Sequence, residues 1–123
     1  MTAEELYNTT KARMFEKPTS RINDNFYIEI INKVLAELFD ENNMCRMFHG
    51  LSPLEEIPVI TDKDDEIPYE EEYNRYVIPL GVDAYFQIDD DLNRHNIYET
   101  KYNNARVMHQ KYVSKERIDA LNK

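Results

Sequence analysis

The 123-residue chain has no tryptophan, a single cysteine, two glycines and no long apolar run. A lone cysteine excludes an internal disulfide and fits a reducing compartment. Two glycines leave no room for a glycine-rich phosphate loop. No apolar stretch approaches the roughly 18 residues needed to cross a bilayer. The segment Thr2-Ala3-Glu4-Glu5 is acidic where a targeting segment would be basic. These absences together lead us to expect a soluble protein made inside a cell. Bases are scarce in the middle of the chain. From Leu54 to Thr100 there are 14 acids and 3 bases, a charge of −11, against −2 before that segment and +4 after it. A middle this acidic argues against gripping nucleic acid as a ligand, because phosphate contacts need a basic footprint.

What the chain does have is a polar but globular composition, 41% hydrophobic and 32% charged, in a length that suits a single domain over 1–123. Nine tyrosines outnumber five phenylalanines. Tyrosine suits either the wet edge of a small core or a protein interface.

The periodicity predicts a mainly α protein, a small bundle of three to four helices with a long irregular loop and room for one short strand. Thr2 and Glu5 form a capping-box pattern ahead of a first helix from about Ala3 to Phe15, which Pro18 stops. The core helix is expected from Asn25 to about Phe39. Phe26, Ile30, Val34 and Leu38 lie on one i, i+4 row, and Tyr27, Ile31, Leu35 and Phe39 on the next. Asp40 to Asn43 reads as its end. Residues 44–66 read as irregular, anchored over that helix by Leu51, Leu54 and Ile57, with Val59 to Thr61 as the strand candidate. Pro68 should open the next helix. Its apolar face runs through Tyr69, Tyr73, Tyr76, Val77, Leu80, Ala84 and Ile88. Pro79 should bend it near Arg75, and Gly81 permits close approach of another backbone. The aspartates Asp89, Asp90 and Asp91 then turn the chain into a last helix from about Leu92 to Leu121. Residues 113–123 are expected as an extended or partner-docked tail.

No catalytic or cofactor motif survives testing, so no enzyme activity, cofactor or metal is expected. Asp89, Asp91 and Asn93 match the first ligands of an EF-hand, but Arg94 stands where its glycine belongs and Thr100 where its bidentate glutamate belongs. Asp91, His95 and Glu99 share a helix face, yet they span about 12 Å, too far for one ion to take all three. Cys45 and His49 are four apart but lack any local nucleophile signature. Met44, Met47 and Phe48 around Cys45 suggest a buried thiol.

One resemblance goes further. An early apolar helix (FYIEIINKVLAELF), a proline-started phrase (EIPYEEEYNRYVIPLGVDAYFQIDDD) and a polar helix with tyrosines four apart (NIYETKYNNARVMHQKY) resemble, in that order, the small head–tail connector (adaptor, or neck) proteins of tailed bacteriophages. The resemblance covers residues 22–112 and rests on arrangement. It implies a structural virion protein, assembled in the host cytoplasm and located in the neck. Its subunits would form a homo-oligomeric ring, commonly twelve-fold, beneath the portal protein and against neighbouring neck and tail proteins, with no membrane contact. Double-stranded DNA would pass through without specific binding. Acidic residues facing that lumen would be Glu70, Glu71 and Glu72, the Asp62 to Glu66 run, or Asp89, Asp90 and Asp91, which repel phosphate. Subunit or portal contacts would fall on Tyr98, Tyr102, Tyr112, Lys115, Arg117, Ile118 and Leu121. The competing reading is a small acidic regulatory module, of antitoxin or anti-repressor type, that binds a basic protein.

Overall fold

The computed structural model describes residues 1–14, 21–88 and 92–121, with side chains described over 1–12, 26–88 and 92–110. The described residues form a bundle of four α-helices: α1 (Ala3–Met14), α2 (Arg21–Phe48), α3 (Ile78–Phe86) and α4 (Leu92–Leu121), with a π-helical turn (Tyr73–Val77) leading into α3. Among the described residues no helix is long and apolar enough to cross a membrane.

The first helix starts where its cap predicts. Thr2 Oγ1 accepts a hydrogen bond from the Glu5 amide at 3.1 Å. The Ala3 and Glu4 amides, which a helix start leaves without partners, donate to the carbonyls of Asp65 and Lys63. Ala3, Leu6, Tyr7 and Thr10 form the buried stripe at i, i+3, i+4 and i+7.

Helix α2 is longer than the sequence suggested. It runs through the Asp40–Asn43 stretch to Phe48 and is capped by a turn at His49 and Gly50. Gly50 adopts φ +79°, a left-handed backbone that a side chain disfavours. The Leu51 amide reaches back to the Arg46 carbonyl and the Gly50 amide to Met47, a Schellman cap. The polar residues that looked like a terminus are contacts instead. Asn42 is fully buried, and its Oδ1 accepts from the Glu70 amide at 2.8 Å. Asn43 both accepts from the Leu54 amide and donates to the Leu54 carbonyl. Asn32 does the same with Ile60. Asn32 and Asn43 stand eleven positions apart, about three helical turns, and so share one stripe of α2. The loop is therefore held antiparallel along the helix by side-chain amides that substitute for a neighbouring strand. This also corrects the strand expectation: Val59 to Thr61 forms no strand, Val59 is exposed, and the single bridge among the described residues joins Thr2 to Glu66. Of the three expected loop anchors only Leu54 packs on the core; Leu51 and Ile57 are exposed, and Ile60 and Ile67 take their place.

The centre of the bundle is α3, which packs against α1, α2 and α4. Ile78, Pro79, Gly81, Val82, Asp83, Ala84 and Phe86 are all buried. A helix apolar on nearly every side must be enclosed. Pro68 does not open it. Residues 67–70 stay irregular, tied down by Asn74 Nδ2 bonds to the Ile67 and Tyr69 carbonyls and by a Tyr69 hydroxyl bond to the Leu35 carbonyl. The bend predicted at Pro79 takes the form of the π turn. Pro79 has no N–H for the Arg75 carbonyl, and the turn widens so that the Ile78 amide reaches Tyr73. On α2, Ile31, Val34, Leu35 and Leu38 are buried as the periodicity requires, whereas Phe26 is exposed. Tyr76 and Ile88, placed on the apolar face of the next helix, are exposed as well.

Candidate functional site

Two surfaces collect chemistry-bearing or unpartnered side chains. The first lies where α2 ends. Cys45 and Arg46 lie in its last turn, His49 follows directly with its amide bonded to the Cys45 carbonyl, and the Schellman cap at Gly50 fixes the backbone there. Asn42, one turn earlier, holds the Glu70 amide, which brings the Glu70–Glu72 phrase alongside. The Cys45 thiol donates to Glu72 Oε2 at 3.6 Å. His49 Nε2 lies 3.6 Å from Glu72 Oε1, and His49 Nδ1 lies 3.7 Å from Glu70 Oε2. Arg46 NH1 stands 3.9 Å from Glu70 Oε1, beyond hydrogen-bond length, while its Nε donates to the Ser52 carbonyl at 2.9 Å. Glu70 Oε1 is buried and has no hydrogen-bond partner among the described residues.

This geometry settles how Cys45 behaves as a thiol. Burial, then the Glu72 charge and hydrogen bond, push its pKa up to about 12. This holds the thiol in its protonated form near neutrality and disfavours the thiolate that a Cys–His nucleophile pair needs.

The predicted acidic residues separate. Glu71 is exposed and pairs with Arg75 at 2.7 Å, one turn along. Glu70 is turned inward toward Arg46 and His49, and Glu72 is shared between Cys45 and His49. They do not form a continuous acidic patch. Asp89, Asp90 and Asp91 lie outside the described residues. Asn93 to Thr100, the second half of the would-be calcium loop, are continuous helix. His95 Nδ1 is 2.6 Å from the Ala84 carbonyl and its Nε2 is 3.3 Å from Glu99, so it ties α4 to α3.

The second surface is α4. Tyr102, expected as an outward contact, is 4% exposed and belongs to the core. Its ring lies against Gly81, and its hydroxyl reaches Glu37 at 3.4 Å beside the Tyr85 hydroxyl at 2.7 Å. Arg106 one turn on is bound to Glu41. Glu37 and Glu41 on α2, Tyr85 on α3 and Tyr102 and Arg106 on α4 thus form one polar seam through three helices. Tyr98 is half-buried beneath Arg94 and Lys101. The side chains of Tyr112, Lys115, Arg117, Ile118 and Leu121 lie outside those described.

Over residues 93–110 a stripe of the outward face of α4, bordered by exposed Glu99 and Lys101, carries no charge. Asn93, Asn96, Thr100, Asn103, Val107 and Gln110 are all exposed, at alternating spacings of three and four. Ile97 and Met108, 54% and 66% exposed, flank them. Sequence reasoning missed this stripe because it followed the tyrosines. The signal was present as a 3–4 spacing of amide and hydroxyl residues, which apolar periodicity does not detect. No protein-family model matches the chain, and no curated protein or solved structure matches it.

Proposed function

We propose that this chain is a structural, ring-forming subunit of the head–tail connector kind, working through protein contacts rather than chemistry. The observation that carries the reading is the uncharged stripe on α4. Copies of a protein with net charge −9 repel one another over most of their surfaces. They can approach closely only where charge is lacking, and interface centres are depleted in charged residues for that reason. The 3–4 spacing is that of helix packing seams. Amides in place of leucines make the seam weak for a single pair, which suits a contact closed many times around a ring and templated by a portal. The helical-bundle architecture and the order of its parts fit the same reading.

The exposed acids of the loop, Glu55, Glu56, Asp62, Asp64 and Glu66, favour the second reading, an acidic module that masks a basic protein. Sedimentation velocity and electron microscopy, with and without portal rings, separate the two. The connector reading predicts ring-shaped assemblies alone or on portals. Val107→Glu and Thr100→Lys, both at exposed positions, should abolish assembly while leaving the helical circular dichroism unchanged. A chain that stays monomeric, ignores portal rings and binds a basic partner one-to-one would overturn it.

A further inference from the structure

The geometry points to a divalent transition-metal site, of zinc type, built from Cys45 Sγ, His49 Nε2 and a carboxylate oxygen of Glu72. These ligand atoms all lie within 4.8 Å of one another. Two of the separations are 3.6 Å, Sγ to Glu72 and Nε2 to Glu72. Zinc held by thiolate, imidazole and carboxylate at about 2.0–2.3 Å sets neighbouring ligand atoms about 3.4–3.6 Å apart at tetrahedral angles. Sγ approaches Glu72 Oε2 and Nε2 approaches Oε1, so both contacts have the length of such an edge but fall on the two oxygens of one carboxylate; the three donors gather to within 4.8 Å, and closing on an ion would tighten them.

The local structure explains why these atoms meet. Cys45 and His49 are i, i+4 and share one face at the end of α2. The left-handed Gly50 stops the helix directly after His49. Glu72 comes from 27 residues away and is brought in through the Asn42 bond to the Glu70 amide. Glu70 has a separate role. With Nε2 on the metal, His49 Nδ1 would face Glu70 Oε2, which lies 3.7 Å away, beyond hydrogen-bond length until the side chains close. A carboxylate behind a metal-bound imidazole orients the ring and strengthens it as a ligand. Binding would displace the Cys45 proton to solvent, and the resulting soft thiolate with imidazole and a single carboxylate favours zinc over magnesium or calcium, which prefer all-oxygen shells. A bound ion would clasp the end of α2 to the start of the helical segment that leads into α3, closing the loop between them. With three protein ligands, the fourth position is left to water or to a group from a partner. The site is independent of the ring-forming proposal, and either can fail without the other.

The test is metal binding by the purified full chain. Zn2+ should be retained through gel filtration at a single equivalent per chain. Co2+ should give the near-ultraviolet thiolate charge-transfer absorption that surface carboxylates cannot produce. The thermal midpoint should rise with Zn2+ concentration. His49→Gln and Glu72→Gln, both at accessible positions, should weaken Zn2+ binding roughly tenfold or more, and Cys45→Ala should remove the cobalt band. If Cys45→Ala fails to fold, the two accessible variants decide. The absence of retained zinc and of a cobalt–thiolate band overturns the site. So does binding that survives both His49→Gln and Glu72→Gln unchanged, which would mark adventitious loading on surface acids.

Discussion

Gly81 shows most directly how a single residue decides the packing. A methyl group there would sit 2.8 Å from Tyr102 Cε1, inside the ring's van der Waals contact, and the ring is locked between α3 and the Glu37 carboxylate. Neither side can retreat cheaply, because Tyr102 is core. Gly81→Ala should therefore destabilise the fold by about 1–3 kcal/mol as an overpacking change, read as a lower urea midpoint at unchanged m-value. If the midpoint does not move, the close approach of α3 and α4 is not as described. The sequence marked Gly81 as a place of close approach but gave no sign that Tyr102 was the group approaching it. Tyrosine is amphipathic, so its pattern alone does not distinguish a core edge from an interface. Here Tyr7, Tyr69, Tyr73 and Tyr102 are buried and Tyr76 is exposed.

At the scale of the element, the segment from Leu51 to Glu70 has no secondary structure of its own to hold it. Asparagines on other elements hold its backbone at Leu54, Ile60, Ile67, Tyr69 and Glu70, and this dependence makes it testable. Asn43→Ala removes both bonds to Leu54 and leaves a part-buried amide and carbonyl without partners. The expected cost is about 2 kcal/mol. Hydrogen exchange at the Leu54 amide should accelerate far more than exchange within α3. Equal acceleration everywhere would mean that the loop and the bundle open as one unit. The loop was recognisable in the sequence as irregular and ordered, but its anchors were not. Leu51 and Ile57 looked right on hydrophobicity, whereas the actual anchors are amide pairs whose partners lie 11 and 28 residues away.

At the scale of the whole molecule, burial ties stability to alkaline pH. Burial pushes the phenols of Tyr69, Tyr73 and Tyr102 above their ordinary range, and neighbouring carboxylates (Asp40, Glu41 and Glu37 respectively) add to it. Tyr85 is raised to about 12 by burial and by its bond to Glu37, and Cys45 to about 12. The folded pKa values lie above the unfolded ones in every case. The folded state thus holds protons that the unfolded chain gives up. The resulting stability is fully present below the unfolded values, about 8.5 for the thiol and about 10 for the phenols. It is lost as pH rises through and beyond them. We expect a plateau near neutral pH and cooperative unfolding above about pH 10, with tyrosinate absorbance appearing together with loss of helix. Ionisation of most tyrosines well before the helical signal falls would contradict the burial described here.

The sequence by itself determined the helices. Their periods, the Thr2 cap and the proline-driven bend are encoded within a few residues, because helical hydrogen bonds and caps act over one or two turns. It also held the Gly50 stop, although the polar run at Asp40–Asn43 was the more conspicuous signal. The tertiary structure alone decided which polar side chains are buried and what they hold. Asn42 meeting Glu70, Tyr102 meeting Gly81, and Cys45 and His49 meeting Glu72 each join residues about 20 or more positions apart. Their geometry comes from how the bundle packs around α3, and no local period records such a pairing. The same packing turned Tyr102 inward and left the uncharged stripe of α4 facing out.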